Sequence, residues 1–309
     1  MSATISTDHP VSATSERATS GEPVPGEPVA GDGRRLELAG GEHLSYDLLV
    51  PATGVDTCVL YLHGFASRRD GEKAAFFRDR FVEAGLAFCR YDCRGHGDSG
   101  GRMLDLTLSR NLDDLEAMHA HLVERLRTPE GGAMRFVLFG SSMGGGTSLW
   151  YAARRAERSS VAAVLALAPA IELEDGLLRA VGAEAVEAWE REGTTLFRHE
   201  LGDHELGWSL IEDLRSYDLS EMLRGYSTPT LIFQGMRDDS VDWRAVTALA
   251  EAGHRPDGTP CPIELQLFAD GDHRLIDRLD ALWDQSESFL RRRGLLPPAD
   301  RPRGSLDDA

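Results

Sequence analysis

Short apolar runs alternate with longer amphipathic segments through the middle of the chain. Runs of strand length predict strands at 36–39, 44–50, 58–62, 87–91, 136–139, 162–167, 230–234 and 263–268. Apolar residues at helical spacing predict helices at 73–84, 108–126, 144–156, 243–252 and 276–292. The first two strands follow each other without a helix, which indicates a hairpin, whereas the later strands alternate with helices. This pattern predicts an α/β fold with an eight-stranded, mostly parallel sheet flanked by helices.

The stretch between the sixth and seventh predicted strands breaks this alternation. Apolar residues such as Leu177 and Trp189 recur there at helical spacing. We predict that residues 171–217 form a cap inserted above the carboxyl ends of the strands, where ligands bind in open α/β sheets. The core then comprises residues 34–170 and 218–292. The alternative is that the inserted helices belong to the scaffold and have no role in binding substrate.

Both ends of the chain carry few large apolar side chains. Residues 1–33 and 293–309 are mostly polar residues, Pro and Gly, and such segments bury too little apolar surface to offset the entropy of ordering. We therefore predict two disordered tails. The first tail has neither the basic start nor the apolar core of a signal peptide, and no run approaches the ~20 apolar residues of a membrane span. We expect a cytoplasmic protein without a membrane span.

Charge and cysteine content narrow the choice of partners. There are 51 Asp and Glu against 33 Lys and Arg, a formal net charge of −18, which argues against nucleic acid or an anionic membrane. The four cysteines, Cys58, Cys89, Cys93 and Cys261, lie mostly in or beside predicted buried strands. This placement favours buried thiols in a reducing compartment over a metal or redox pair. We expect neither a metal nor an organic cofactor, because no His/Cys ligand spacing is present.

A G-x-S-x-G motif lies between a predicted strand and a predicted helix. It contains Ser142, and its two glycines suit a turn where a Cβ would collide with the crossing helix or strand. Such a strained turn lifts the serine hydroxyl above the sheet. A second match contains Ser99, but the residues after it do not open a helix. We predict Ser142 as the nucleophile.

A serine at neutral pH needs a base, and the base needs a carboxylate to hold its tautomer. His273 follows the last predicted strand and precedes the last predicted helix, where such a base lies in this topology. Asp238 and Asp239 follow the seventh strand. The spacing G-x-x-D-x-x-V centres on Asp238, which we predict as the acid, with Asp239 as the alternative.

The oxyanion of a tetrahedral intermediate must be met by backbone N–H groups. We predict that Met143, directly after the nucleophile, and Phe65, in the loop after the third strand, supply them. His63 in that loop is expected to pack and orient the turn rather than act as a second base. Large apolar side chains of the cap are candidates for contact with substrate, namely Trp189, Phe197 and Trp208.

Five motifs occur in a fixed order. They are L-H-G-F-x-S at 62–67, R-Y-D-x-R-G-H-G-x-S at 90–99, G-S-S-M-G-G at 140–145, G-M-R-D-D-S-V at 235–241 and D-H-R at 272–274. Over residues 36–291 the chain resembles the α/β-hydrolase superfamily. It is most similar to acyl-protein thioesterases that also cleave acyl glucuronides, and to bacterial feruloyl and cinnamoyl esterases.

The resemblance implies a catalytic triad of Ser142, Asp238 and His273. Many relatives have His before the glycine that opens the acid motif and Pro after its valine, and this chain has Gln234 and Asp242 there. Neither departure removes a catalytic group, but Asp242 adds a negative charge near the triad.

A glycine-rich loop at 90–99 lacks a following helix N-terminus, so we interpret it as a structural turn rather than a phosphate site.

The sequence therefore predicts a serine esterase or thioesterase that forms an acyl-enzyme with a small-molecule acyl ester or thioester. Two alternatives stay open. One is other triad chemistry, as in C–C hydrolases, peptidases or perhydrolases, and the other is a non-catalytic binding protein on the same fold. The sequence leaves the leaving group, the acyl length and the oligomeric state open.

Overall fold

The computed structural model describes residues 33–51, 55–128, 131–155, 160–224, 226–254 and 258–297. The predicted tails lie outside these residues, except for residue 33 and residues 293–297. At the C-terminal end, Leu295 and Leu296 are buried against the same apolar cluster as the last helix. The ordered chain therefore runs past the boundary predicted at residue 293. Two adjacent leucines supply apolar area that a count of the surrounding polar residues, Pro and Gly overlooks.

Eight strands of the described chain form the main sheet. They are β1 (Arg34–Glu37), β2 (His43–Leu49), β3 (Thr57–Leu62), β4 (Ala87–Tyr91), β5 (Arg135–Ser141), β6 (Val161–Leu167), β9 (Thr230–Gly235) and β10 (Ile263–Phe268). Their order across the sheet is β1-β2-β4-β3-β5-β6-β9-β10. The pairs β1–β2 and β2–β4 are antiparallel, and the remaining pairs are parallel. The predicted entry hairpin and mostly parallel sheet are confirmed.

Helices cover both faces of this sheet. They are α1 (Glu72–Glu83), α2 (Leu108–Arg125), α3 (Met143–Arg155), α8 (Trp243–Ala252) and α9 (Leu279–Arg292). Side chains of β3 alternate between the faces: Leu60 joins the apolar cluster under α2 and α3, whereas Tyr61 joins the cluster under α1 and α9. A strand buried on both sides has no polar face, which explains the continuous apolar runs in the sequence. The predicted last helix begins as a short 3₁₀ turn, Ile276–Arg278.

The inserted segment 171–217, called the cap below, contains helices and a hairpin. Its elements are α4 (Leu173–Val181), α5 (Ala183–Glu192), β7 (Thr194–His199), β8 (Gly202–Gly207) and α6 (Ser209–Leu214), and α7 (Leu219–Arg224) follows it. The antiparallel pair β7–β8 was not predicted. Exposed and partly buried residues alternate along β7, and most residues of β8 are exposed or partly buried. A hairpin that covers another surface needs little burial of its own, so its sequence lacks a strong strand pattern.

The loops after β3, β5, β9 and β10 all leave the carboxyl edge of the parallel part of the sheet. The residues predicted as nucleophile, base, acid and oxyanion donors lie in or beside these four loops. Because parallel strands end at one edge, the fold brings the loops to one side of the molecule. No helix in the part of the chain that the structure describes is long and apolar enough to cross a membrane.

Candidate active site

Ser142 sits on a sharp turn between β5 and α3. Its φ angle is 52°, in the left-handed region that serine rarely adopts. A Cβ at Gly140 would overlap the Gly144 carbonyl group, and a Cβ at Gly144 would overlap the backbone carbonyl of Leu62. Both glycines are therefore needed for the helix to cross so close to β3 and β5. This is the strained strand–turn–helix geometry expected of a nucleophile elbow.

Ser142, His273 and Asp238 form a continuous hydrogen-bonded chain. His273 Nε2 lies 3.1 Å from Ser142 Oγ, and His273 Nδ1 lies 2.8 Å from Asp238 Oδ2. When Nδ1–H donates to the carboxylate, Nε2 is left as the acceptor for the serine proton. Asp239 is exposed, and its carboxylate accepts from the Ser240 hydroxyl instead. The structure thus brings together the three residues predicted as nucleophile, base and acid.

The Asp238 carboxylate is held by four hydrogen bonds. Besides His273, its Oδ2 accepts from Gln234 Nε2 at 2.8 Å, and its Oδ1 accepts from the N–H groups of Ser240 at 2.9 Å and Val241 at 2.8 Å. Burial opposes its ionisation, but the hydrogen bonds from His273, Val241 and Gln234 outweigh that effect and hold the pKa of Asp238 below its usual value. The carboxylate therefore stays charged where it faces the histidine.

Gln234 is a site residue that the sequence reasoning treated only as a departure from the family pattern. It is completely buried near the end of β9, and its amide also donates to the Gly235 carbonyl. Its Oε1 has no hydrogen-bond partner among the described residues. A polar side chain inside an otherwise apolar strand is the signal that would have pointed to it, because such a group is buried only where it has a partner.

The predicted oxyanion groups lie on either side of the serine. Met143 is the first residue of α3, so its N–H is one of those that the helix itself leaves without an acceptor. Phe65 follows β3, and the next residue, Ala66, has a φ of 55°. Within the described chain no hydrogen bond occupies the Phe65 N–H. A Cβ added at Gly64 would lie 3.3 Å from the Ser142 Cβ, so this loop runs directly against the nucleophile.

His63 and the loop at 90–99 have structural roles. His63 donates from Nδ1 to the Gly64 carbonyl at 2.7 Å, and its Nε2 accepts from the Cys93 N–H at 3.1 Å. Burial lowers the pKa of His63 to about 4. The Ser99 hydroxyl donates to the Asp92 carbonyl at 2.6 Å, so it ties down the loop. Both residues are thus occupied in holding the turns that frame the elbow.

The cap hairpin packs on the loop after β3 that carries Gly64 and Phe65, called the oxyanion loop below because Phe65 is a predicted oxyanion donor. The Phe65 ring meets those of Phe197, His199 and His204 edge to face, with centroid distances of 5.5, 5.6 and 5.7 Å. Aromatic pairs in this arrangement are favourable beyond their burial. The hairpin therefore covers Phe65 and connects the cap to the side of the site where the oxyanion would form.

Trp189 and Trp208 lie inside the cap. Their rings pack edge to face at 5.3 Å, and they are 0 % and 7 % exposed. Neither residue lines the cavity described next, and neither does Phe197. The predicted contact of the two tryptophans with substrate is therefore not supported by their placement. The inserted elements need a core of their own, and the largest apolar side chains of the segment form it.

A cavity of about 160 Å³ lies between the cap and the first turns of α3. Its walls are Leu106, Leu108, Asn111, Met143, Gly146, Thr147, Trp150, Ala170, Ile171, Glu172, Leu173, Glu174, Asp175, Leu210, Leu214 and Tyr217. Met143 follows the nucleophile directly, and the Ala170 N–H donates to the Ser142 carbonyl. Asn111 is 2 % exposed, and its Oδ1 has no partner among the described residues. The cavity thus adjoins the elbow.

Carboxylates gather at one side of this cavity. Burial, and then the charges of Asp175 and Asp242, raise the pKa of Glu172. Asp242 also caps α8, where it accepts from the Arg244 N–H at 3.0 Å. The negative charge that Asp242 adds near the triad therefore acts on Glu172 at the cavity wall. Among the described residues no group of three or more metal-ligating side chains is assembled for an ion.

Fold and site geometry together define an α/β hydrolase, and comparison with known proteins agrees. A family model described as serine aminopeptidase, S33 (Hydrolase_4), matches residues 53–198, which include the oxyanion loop and the elbow. The chain is 26% identical over 228 residues to mouse "Palmitoyl-protein thioesterase ABHD10, mitochondrial", and the match covers 72% of this chain and 70% of that protein.

Two solved structures extend the likeness to the whole described fold. Mouse alpha/beta hydrolase domain-containing protein 10 has a TM-score of 0.67 at 21% identity, and the match covers 85% of this chain and 99% of that one. Est1E from Butyrivibrio proteoclasticus, solved with ferulic acid bound, has a TM-score of 0.69 at 20% identity, with coverage of 84% and 98%. The chain has the α/β-hydrolase fold, and the family model and the thioesterase relative support a serine hydrolase. Its own compartment stays a prediction, since the mitochondrial location is stated only for the thioesterase relative.

Proposed function

We propose that this protein cleaves carboxylic esters or thioesters through an acyl-enzyme formed on Ser142. Its relatives are thioesterases and esterases, and the chain is an ester or thioester hydrolase of this kind. The observation that carries the proposed mechanism is the hydrogen-bonded chain from Ser142 through His273 to Asp238.

In the proposed reaction His273 Nε2 takes the proton of Ser142 as the hydroxyl attacks the acyl carbonyl. The resulting imidazolium is stabilised by Asp238, whose carboxylate is fixed in place by its four hydrogen bonds. The N–H groups of Phe65 and Met143 receive the negative oxygen of the tetrahedral intermediate. His273 then returns the proton to the departing alcohol or thiol, and a water repeats the sequence to release the acid.

We further propose that the cavity beside Met143 receives the acyl group. An engineered apolar cavity of about 150 Å³ holds benzene, so a cavity of about 160 Å³ takes one aromatic ring or a short chain. A palmitoyl chain has more than twice as many carbons as such a ring and exceeds this space.

The test is labelling with a fluorophosphonate probe, followed by kinetics on p-nitrophenyl esters and matched thioesters. Wild type and Ser99→Ala should label, and Ser142→Ala should not. In the ester series, benzoyl and short acyl esters should exceed the palmitoyl ester in kcat/KM. Leu210→Trp, which fills the cavity wall, should lower the rate on the benzoyl ester more than on the acetyl ester. An enzyme that labels at Ser142 but prefers palmitoyl esters would refute the cavity assignment alone.

A second candidate activity is removal of N-terminal residues from peptides. The family model described as a serine aminopeptidase matches the chain, and Glu172, with Asp175 and Asp242 nearby, provides negative charge that an α-ammonium group would neutralise. Aminoacyl p-nitroanilides with free and acetylated amino groups separate the two candidates. Faster cleavage of the free-amine substrates than of any ester would favour the peptidase.

A further inference from the structure

Lys73 is the only lysine of the chain, whose other 32 cationic side chains of this type are arginines. It is the second residue of α1 and lies beneath the elbow rather than on an open surface. Its Nζ donates to Ser141 Oγ at 2.9 Å, and Ser141, directly before the nucleophile, is 5 % exposed. In the described part of the chain the Lys73 ammonium forms no ion pair. A cation is thus held against the elbow through a neutral hydroxyl.

Charged groups from three elements surround this ammonium. Glu72 lies beside it on α1, Asp272 and Arg274 flank His273 in the loop after β10, and Asp238 comes from the loop after β9. Burial, and then the charge of Arg274, lower the pKa of Lys73 to about 8, against the opposing effect of the three carboxylates. The ammonium is therefore protonated at neutral pH and loses its proton as the pH rises through about 8.

A lysine suits this place better than an arginine. Its ammonium is a compact point charge that donates to one hydroxyl, whereas a guanidinium presents a planar fork of five donors and does not titrate. Behind Ser141 there is one acceptor to satisfy, and the carboxylates beyond it interact with the charge through space.

We propose that the Lys73 ammonium is a positioning group of the hydrolytic site: its charge-assisted hydrogen bond anchors Ser141, and thereby the turn that carries Ser142. The inference rests on the proposed hydrolase function.

The experiment compares the pH dependence of kcat for wild type, Lys73→Met and Lys73→Arg on a p-nitrophenyl ester. Lys73→Met is nearly isosteric and removes a partly desolvated charge, so it should fold. Below the lysine pKa we expect its kcat to be about tenfold lower than wild type, because a hydrogen bond to a charged group is worth about that factor. As pH rises through about 8 the wild type loses the same charge, so the ratio of the two rates should fall towards one.

Lys73→Arg keeps the charge at all these pH values, so its profile should lack the alkaline decline. Because the chain has one lysine, a ¹³C-lysine label gives a single side-chain NMR signal whose titration reports the pKa of Lys73 directly. A rate ratio that stays constant with pH in an active enzyme would overturn the inference, as would a lysine titrating at its ordinary value. A well-folded wild type that hydrolyses no ester or thioester would overturn the proposed function, and this inference with it.

Discussion

Gln234 offers the sharpest test of how the acid of the triad is held. Its Nε2 donates to Asp238 Oδ2 at 2.8 Å, and the same oxygen accepts the hydrogen bond from His273 Nδ1. Gln234→Leu removes that donor and places an apolar side chain of similar size in the buried strand. Asp238 then retains its two backbone hydrogen bonds on Oδ1, but only His273 still fixes Oδ2. We expect the carboxylate to rotate away from the imidazole part of the time.

The expected change in the free energy of unfolding follows from two opposing contributions. A hydrogen bond to a charged group contributes about 1.5–3 kcal/mol, and a buried acceptor without a partner costs about 1–3 kcal/mol. Gln234 supplies the first through Nε2 and suffers the second at Oε1. Leucine removes both, so the free energy of unfolding should change by less than about 1 kcal/mol. The imidazolium exists only in the transition state, so kcat should fall by about tenfold while KM stays close to its wild-type value.

The assay is steady-state kinetics on a p-nitrophenyl ester, with urea unfolding of each variant. Gln234→His, which restores a donor and places there the residue found in many relatives, is the matched control and should recover most of the rate. The pH dependence has a defined sign. The lowered pKa of Asp238 stabilises the fold above the ordinary carboxyl pKa, and that contribution disappears as pH falls through the lowered value. In Gln234→Leu the loss should begin at higher pH. A variant with full kcat and reduced stability would show that Gln234 does not act through Asp238.

Four further variants, one of them a control, test the framework of the site. Gly144→Ala drives a Cβ into the Leu62 carbonyl, so kcat should fall by about a hundredfold through displacement of the elbow; Gly176→Ala, whose nearest neighbour is 3.7 Å away, should instead raise the free energy of unfolding by about 0.4–1 kcal/mol. Arg69→Met leaves the buried Asp92 carboxylate without its cation, and denaturant unfolding should show a loss of about 3–5 kcal/mol. Phe197→Ala removes the hairpin ring that packs against Phe65 of the oxyanion loop. We expect unchanged secondary structure by circular dichroism and a kcat/KM a few-fold lower, which corresponds to about 1 kcal/mol. An unchanged rate would mean that the hairpin only covers the loop.

The sheet and the elbow could be predicted because their physical constraints are local. Each buried strand needs a continuous apolar run, and the eight runs in the sequence correspond to the eight strands of the main sheet. The elbow needs glycines where a Cβ would strike the crossing backbone, and Gly140 and Gly144 are where such clashes occur. Spacing alone favoured Asp238 over Asp239 as the acid, and in the structure Asp238 is the residue that contacts His273.

The cap could not be predicted in the same way. Its hairpin is held by ring contacts to Phe65, a residue far away in the chain, and such contacts leave no period in the hairpin's own sequence. The predicted contact of Trp189 and Trp208 with substrate met the same difficulty. From composition alone, a large apolar side chain in a cap is equally suited to the cap's interior and to a binding surface, and only the packing decides.

Gln234 and Lys73, the polar residues of the site that sequence motifs did not identify, share one property. Each contacts a loop of the triad but lies outside the motif that marks that loop. Gln234 reaches forward to Asp238 from the strand, and Lys73 reaches across from α1 to Ser141. Motifs mark the groups that react, since their spacing is fixed by the turn that carries them. The supporting groups are fixed by the distance between loops that fold together, and a single sequence does not contain that distance. A buried polar residue in an apolar strand and a lone lysine among arginines are the two irregularities that remain visible in the sequence, and both lead to the same catalytic loops.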